Sequence, residues 1–358
     1  MKGFGKVFKF EWLKNTQRKM FLVFLILAFL FPVIGNGVNY YLSEVWMPRF
    51  EEQTQSGETE EEGEGTLTLN VFTPPTAEET KAQLESEIAA EQALRDAKSP
   101  DFSDAHLQNA ENDLAVLNYK LRHGLIKPED SYQKEGYDLQ HNDNRAWQAA
   151  AAGGSSTLLY AFAVTYLAVI VAGEYEKGTL KSLVIRPAGR RAILAAKYLN
   201  TLLFLFLLML ADYIGQLLSG MLLFGAGDPA SPMVYALFGR AFELPLGLAG
   251  LLLFVLQFVS SLMPLAMTLL LAVLLRSAAG TIALSLSLAL IGSPLILQLA
   301  KFMNGLRFTS FVHEDLSVYL SSGIRVDSTN ILFSAVLALL YTVIFLFAAS
   351  WLFRKRDI

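Results

Sequence analysis

The chain has 358 residues, of which 53% are hydrophobic and 17% are charged, with a formal net charge of −4. Such an apolar composition excludes an ordinary soluble domain. The absence of cysteine also excludes a fold held together by disulfides. We therefore expect a membrane protein whose surroundings are the lipid bilayer and whose partners include no nucleic acid.

Residues 1–19 predict an amphipathic helix in the lipid headgroup layer. At about 100° per residue, Phe4, Phe8 and Trp12 fall on one side of this helix, opposite its lysines, which is typical of an interfacial helix. Glu11 interrupts the apolar side, so we expect it to pair with a basic residue of segment 173–197. The alternative is a charged flank that only orients the first span.

Six stretches are apolar over the length of about 20 residues that a transmembrane helix requires. They are residues 20–41, 149–172, 198–226, 246–275, 278–299 and 330–353. The first stretch follows basic residues as in a signal peptide, but no small-residue cleavage site follows it. We therefore expect it to be retained as a membrane anchor.

Lysine and arginine residues cluster before the first span, after the last span and in segment 173–197. Loops rich in these residues stay in the cytoplasm, so both termini and this segment are predicted to be cytoplasmic. Segment 42–148 is then extracellular. It contains 23 acidic and 9 basic residues, a formal charge of −14, whereas the rest of the chain carries +10. This acidic surface fits either a cationic ligand or simple solubility.

Two helices are predicted within segment 42–148. Thr76 and Glu79 match a capping box, from which a helix extends to about Lys98. Leucine and alanine residues at 107–121 repeat at spacings of three and four before Gly124 ends a second helix. Residues 51–66 lack apolar residues and are predicted to be flexible.

The predicted fold is an all-α integral membrane protein with six transmembrane helices and a large, mostly helical extracellular insertion. Its parts are an interfacial helix at 1–19, a first span at 20–41, an acidic domain with a helical hairpin at 42–148 and a five-span membrane domain at 149–358.

The segment between the second and third spans reads GEYEKGTLKSLVIRPAGRRAILAAKYL at residues 173–199. Thr179 can cap a short helix that Pro187 ends, and a new helix begins at Arg190 and continues into the third span. The predicted product is a short cytoplasmic helix, at about 174–190, that is suited to a groove on another protein.

The sequence contains none of the short motifs that carry enzymatic chemistry. It has no G-x-x-x-x-G-K-[ST] phosphate loop, no H-E-x-x-H metal motif and no G-x-S-x-G nucleophile turn, and its four histidines do not cluster. We therefore expect no catalytic residue, no bound metal and no cofactor in this chain.

Segment 173–199 resembles the intracellular loop of ABC-2 type permeases, the membrane subunits of bacterial ABC export transporters. The resemblance rests on Glu174, Gly178, Thr179, Leu180, Leu183, Pro187, Arg190, Ile193 and Lys197. The start of the chain is also similar, with Glu11, Lys14 and Arg18 in the family's usual order. The resemblance does not extend to the extracellular insertion in any detail.

The resemblance implies a permease of the bacterial cytoplasmic membrane that forms a homodimer or a heterodimer with a related permease. Two copies of a separately encoded ATPase would hold ATP and Mg and dock on the coupling helix. The residues implied in coupling are Glu174, Tyr175, Gly178, Thr179, Leu183, Pro187 and Arg190. The exported substrate would be a peptide, an antibiotic, a lipid or a cation.

Two other functions remain open from the sequence. An ion-gradient-driven secondary transporter would use charges within the membrane and usually inverted repeats, and the sequence shows one clear intramembrane acid and no convincing repeat. A membrane sensor would detect a ligand with its extracellular hairpin and signal through the cytoplasmic loop.

Polar residues within the spans are candidates for a transport pathway. Asp212 is the only acid in the interior of a span, and Gln257 lies at a similar depth in the fourth span. The two side chains either contact a substrate or cation, or form a polar clamp between the third and fourth spans. Ser285, Ser287 and the small residues at 149–156 fit either a dimer interface or a pathway lined by hydroxyls.

Overall fold

The structure is a computed structural model that describes residues 4–42, 75–97, 99, 102–128, 146–147, 156–178, 190–300, 302–321 and 323–355. For Ser156 and Arg190 it describes the backbone alone. Three predictions concern residues outside this description: the flexible stretch 51–66, the small residues 149–155 and most of the predicted coupling helix, residues 179–189.

Six helical segments in the described part of the chain are long and apolar enough to cross a membrane. In chain order, the spans are Lys19–Tyr40, Ser156–Glu176, Arg190–Phe224, Leu246–Leu275, Ala278–Ala300 and Ile331–Lys355. The prediction of a largely helical membrane protein with six candidate spans is confirmed. The third span begins at Arg190 because the helix after segment 179–189 continues into it without a break.

The fourth and fifth spans are each interrupted shortly before a proline. The fourth consists of helices Leu246–Ser260 and Leu262–Leu275, with Pro264 in the first turn of the second helix. The fifth consists of helix Ala278–Ser287, a π-helical turn at Leu288–Gly292 and helix Ser293–Ala300, which contains Pro294. Proline removes one intrahelical hydrogen bond and crowds the preceding turn.

The spans alternate in direction, so the bundle has two ends. We call one the basic end: it contains the N-terminal helix, Phe4–Thr16, and the ends of the spans that carry Glu174, Lys197 and Arg276. We call the other the insertion end. It contains helices Ala77–Asp96 and Asp104–Arg122 of the insertion, together with the connections from the third to the fourth span and from the fifth to the sixth.

Aromatic rings fill the core between the first three spans. The ring of Tyr166 stacks on that of Phe204, with centroids 4.2 Å apart, and Phe21 packs against Phe204 at 4.9 Å. Nearer the insertion end, the third span approaches the first so closely that a Cβ on Gly215 would lie 2.6 Å from the carbonyl oxygen of Phe29. Within lipid, which is as apolar as these side chains, van der Waals packing of such closely fitting surfaces favours association of the first three spans.

The insertion contains the predicted helical hairpin. The Thr76 hydroxyl accepts from the amide of Glu79, and the Glu79 carboxylate accepts from the amide of Thr76, so the predicted capping box is present. Gly124 follows the second helix with a φ of 68°, a conformation that favours glycine. The two helices share a small apolar core whose buried members are Ala77, Leu84, Ala110 and Leu117.

An antiparallel β-hairpin at the insertion end was not predicted. Strand β1 is Pro232–Leu237 and strand β2 is Arg240–Pro245. Phe238 and Gly239 form the turn with φ values of 54° and 71°, the positive values that a two-residue hairpin turn requires. The sequence analysis missed the hairpin because Phe-Gly is not one of the usual turn pairs.

The second insertion helix contacts both connections at this end of the bundle. On the hairpin side, the amide of Gly239 donates to Asn112 Oδ1 at 2.8 Å, and the Tyr119 hydroxyl donates to Glu243 Oε2 at 2.9 Å. On the other side, the hydrogen bonds join Ser103 and Ala105 to Asp327, and Asn109 to both backbone groups of Ile324. The insertion therefore packs on the membrane domain.

Candidate functional site

Four charged side chains from three helices meet at the basic end. Lys197 Nζ lies 3.1 Å from Glu11 Oε2 and 2.7 Å from Glu174 Oε2, and Lys14 Nζ lies 2.5 Å from Glu174 Oε1. Lys197 also donates to the carbonyl oxygen of Ile170 at 2.8 Å. We call Glu11, Lys14, Glu174 and Lys197 the buried ion cluster.

Three of the four side chains of the ion cluster lie in the protein interior, and the fourth, Lys14, is 32% exposed. Glu11 is 0% exposed, Lys197 is 2% exposed and Glu174 is 3% exposed. Burying an isolated charge is costly, and pairing offsets that cost only when the geometry is good. Two carboxylates and two ammonium groups balance here, so the cluster joins the N-terminal helix to the second and third spans as one electrically neutral unit.

The side of the N-terminal helix that carries Glu11 and Trp12 packs against the bundle. The prediction that this helix, with Phe4 and Phe8, lies in the lipid headgroup layer stays a prediction. The helix packs along the third span, and the Trp12 ring packs edge-on against Phe21 with centroids 5.5 Å apart. Lipid would have left the Glu11 carboxylate without a partner, whereas the bundle provides Lys197. The expectation that Glu11 pairs with a basic residue of segment 173–197 is confirmed.

Side chains next to Glu174 connect the same end of the second span to three other spans. The Tyr175 ring packs edge-on against Phe353 at 6.1 Å, and the guanidinium of Arg276 lies 5.4 Å above it. Glu176 Oε1 accepts from the backbone amide of Ala278 at 2.9 Å, at the start of the fifth span. The helix end that precedes segment 179–189 is therefore held on several sides.

The other predicted coupling residues are only partly described. Gly178 has a φ of 64° just after the second span, the left-handed conformation in which helices commonly end at glycine. Arg190 begins the next helix, as predicted, and its side chain is outside the description. Thr179, Leu183 and Pro187 lie outside the described residues.

The structure does not bring Asp212 and Gln257 together as predicted. Asp212 is 5% exposed and lies about 60° around the helix from Gly215, which faces the first span. The described ring contacts between the third and fourth spans are made by other residues: Phe206 and Tyr213 both pack edge-on against Phe254. The described hydrogen bonds do not join Asp212 to Gln257, whose backbone carbonyl accepts from Ser261.

Ser285 and Ser287 do not line one common surface. Ser285 is fully buried in the fifth span, where that span packs on the second and fourth, whereas Ser287 is exposed on the surface of the bundle. Two residues along a helix turn the side chain by about 200°. The two hydroxyls therefore face different sides of the fifth span, and their role in a pathway or a dimer interface stays a prediction.

A polar network at the insertion end was missed by the sequence analysis. His313 Nε2 donates to the carbonyl oxygen of Arg307 at 2.8 Å, which leaves Nδ1 of the neutral ring to accept from the Ser334 hydroxyl at 2.8 Å. Tyr319 donates in turn to Ser334 at 2.5 Å. Burial lowers the pKa of His313, so the neutral ring is favoured. This network holds residues 302–321 against the sixth span.

Glu314 follows His313 in the chain, and burial shifts the pKa of its side chain upward, whereas it shifts that of His313 downward. Loss of solvent raises the pKa of this carboxyl group to about 7, although a hydrogen bond with Ser293 opposes the effect. The group therefore titrates near neutral pH. No periodicity or motif marks Glu314 in the sequence, because its environment depends on how the segment packs on the fifth span.

Comparison with known protein families gives one match, which covers more than half of the chain. The matching family is described as "Protein of unknown function (DUF2705)", over residues 132–358. The chain belongs to this family. The matched DUF2705 region contains Glu174 and Lys197 of the ion cluster and begins after the N-terminal helix that contributes Glu11 and Lys14.

Two relatives from Bacillus subtilis (strain 168) extend the comparison. The chain is 28% identical to "Uncharacterized protein YhcI" over 286 residues, which cover 79% of this chain and 87% of the relative. It is 30% identical to "Uncharacterized membrane protein YdbK" over 211 residues, covering 56% and 78% respectively. No solved structure matches. The second relative is named a membrane protein, and the six apolar helices described above indicate that this chain is one as well.

Proposed function

We propose that this protein is the membrane-spanning permease subunit of an ABC-2 type transporter, which exports a substrate using ATP hydrolysed by a separate subunit. The observation that carries the proposal is the buried ion cluster. Glu174 and Lys197 belong to the two helices that flank residues 179–189, and both bind the N-terminal helix through Glu11 and Lys14. A displacement of the loop would therefore move three helices together.

In this proposal the coupling residues divide into two groups. Glu174 and Tyr175 are positioning residues, because their buried contacts hold the end of the second span. Gly178 ends that helix, and Thr179, Leu183, Pro187 and Arg190 belong to the segment that contacts the ATPase. ATP and Mg are bound by the partner, since this sequence has no phosphate-binding loop.

The proposed assembly is a homodimer, or a heterodimer with a related permease, that binds two ATPase subunits on its basic end. The basic end is then cytoplasmic, both termini are cytoplasmic, the insertion is extracellular and the membrane is the bacterial cytoplasmic membrane. Lysine and arginine residues near the ends of the spans support this orientation. The substrate is a peptide, an antibiotic, a lipid or a cation.

Purification of the tagged full-length chain from native membranes in mild detergent tests the proposal. We expect an ATPase to be recovered in equal amount with the permease. Leu183→Glu should release the ATPase, whereas Lys81→Glu, an exposed change in the insertion, should retain it. Absence of any ATPase from the wild-type preparation, or its equal retention by both variants, would contradict the proposed docking segment.

The orientation has an independent test, because the chain contains no cysteine. A cysteine introduced at Ala82, exposed in the first insertion helix, should react with a membrane-impermeant maleimide in intact cells. A cysteine at Lys177, exposed at the basic end, should react only after the cells are permeabilised. The reverse pattern would invert the proposed topology.

A further inference from the structure

Three uncharged polar side chains are buried beside the ion cluster. Asn15, Tyr166 and Asn200 are each 0% exposed. Within the described part of the chain, no hydrogen bond of good geometry reaches the amide groups of Asn15 and Asn200, the Tyr166 hydroxyl or Glu11 Oε1; the Tyr166 hydroxyl and the Asn15 side chain lie close enough only for a weak one. Native proteins rarely leave so many buried polar atoms unsatisfied, because each one loses its hydration without compensation.

Packing places these side chains in one location. Lys197 contacts the carbonyl oxygen of Ile170, and Phe204, about two turns further along the third span, stacks on Tyr166. Asn200 therefore lies between two contacts of the antiparallel second and third spans. Asn15 follows Glu11 by one turn of the N-terminal helix and is next to the Tyr166 side chain. The three side chains therefore lie near one another, where the N-terminal helix meets the second and third spans.

The chemistry of these atoms selects the occupant. A metal cation would bind the oxygen atoms but would leave the amide N–H groups of Asn15 and Asn200 without acceptors. It would also lie close to the ammonium group of Lys197, which already binds the Glu11 carboxylate. Water both donates and accepts hydrogen bonds, so it can satisfy amide N–H, amide oxygen, phenol and carboxylate together.

We infer that a cluster of ordered water molecules occupies the position between Asn15, Tyr166 and Asn200. These waters hydrate Glu11 Oε1 from within the protein, so the contact between the N-terminal helix and the bundle is a hydrated joint. Water-bridged contacts are almost as favourable as direct hydrogen bonds and can exchange partners. The contact between the N-terminal helix and the bundle can thus shift while the Glu11 carboxylate stays hydrated. This inference does not depend on the transport function proposed above.

Radiolytic hydroxyl labelling in ¹⁸O water provides the direct test, because it marks side chains that contact ordered water even inside a protein. Tyr198 is the matched control: it is 6% exposed, and its hydroxyl donates directly to the carbonyl oxygen of Leu262. We expect Tyr166 to be labelled at least about threefold more than Tyr198 in the wild-type protein. Equal or weaker labelling of Tyr166 would overturn the inference.

Apolar substitutions supply the second measurement. The double variant Asn15→Leu/Asn200→Leu should reduce labelling of Tyr166 to the level of Tyr198. Each single variant should reduce this labelling in part, and the single variants provide the measurement if the double variant does not fold. Unchanged labelling in all variants would contradict a water cluster at this position.

The ionic composition of the buffer distinguishes water from a cation. Replacement of sodium and potassium chloride by choline chloride at equal ionic strength should leave the Tm of the wild-type protein unchanged. A Tm that rises with sodium or potassium concentration in the wild-type protein, and not in Asn200→Leu, would assign the position to a cation and overturn the inference.

Discussion

Removal of Lys197 from the ion cluster is the most informative single change. Lys197→Met keeps most of the side-chain volume but leaves Glu11, which is 0% exposed, without its ammonium partner and leaves Glu174 with Lys14 alone. Breaking a buried ion pair by removing one partner costs about 3–5 kcal/mol. We therefore expect a decrease of about 3 kcal/mol or more in the free energy of unfolding.

The double variant Glu11→Gln/Lys197→Met separates this mechanism from a simple loss of packing. It removes both charges of one pair and leaves Glu174 and Lys14 as a balanced pair, so it should be more stable than Lys197→Met. The coupling energy between the two positions should reach about 2 kcal/mol, within the range measured for residues in one network. Lys177→Met, at an exposed position, is the control and should change stability by no more than about 0.5 kcal/mol.

Unfolding of the purified protein in mixed micelles, followed by tryptophan fluorescence at increasing SDS concentration, measures these differences. The reasoning fails if Lys197→Met costs less than about 1 kcal/mol, because the charges would then be hydrated from bulk solvent. It also fails if the effects of the two single substitutions simply add in the double variant.

Further changes test other parts of the fold. Gly215→Ala should destabilise the protein by about 1–3 kcal/mol, since its Cβ would lie 2.6 Å from the Phe29 carbonyl oxygen, whereas Gly37→Ala, with nothing within 4 Å, should be neutral or stabilising in thermal unfolding. Asp327→Ala removes two hydrogen bonds from the start of the second insertion helix and should accelerate hydrogen exchange there while leaving the spans unchanged. The raised pKa of Glu314, about 7 against an ordinary 4.5, predicts a contribution to stability that is full below pH 4.5, decreases as pH rises from 4.5 to about 7 and is lost above that. Glu314→Gln should remove this decrease in plots of Tm against pH, and a persistent slope would assign it to other groups.

The sequence by itself determined the elements whose signals are local. Each span is recognisable because about 20 apolar residues must be consecutive to cross a bilayer. The capping box at Thr76 and the helix end at Gly124 depend on residues a few positions apart, so they were predicted with their bounds nearly correct. Glu11 was marked as needing a partner because an acid in an apolar helix face is unfavourable wherever that face is buried.

Only the tertiary structure decided which surfaces meet. Asp212 and Gln257 match in depth, but depth along a helix does not specify rotation about it, and the described ring contacts between the third and fourth spans are made by Phe206, Tyr213 and Phe254. The N-terminal helix faces the bundle because Lys197, nearly 190 positions later in the chain, supplies the charge that Glu11 requires. Such long-range pairings depend on the packing of several helices at once, and no local pattern in the sequence carries that information.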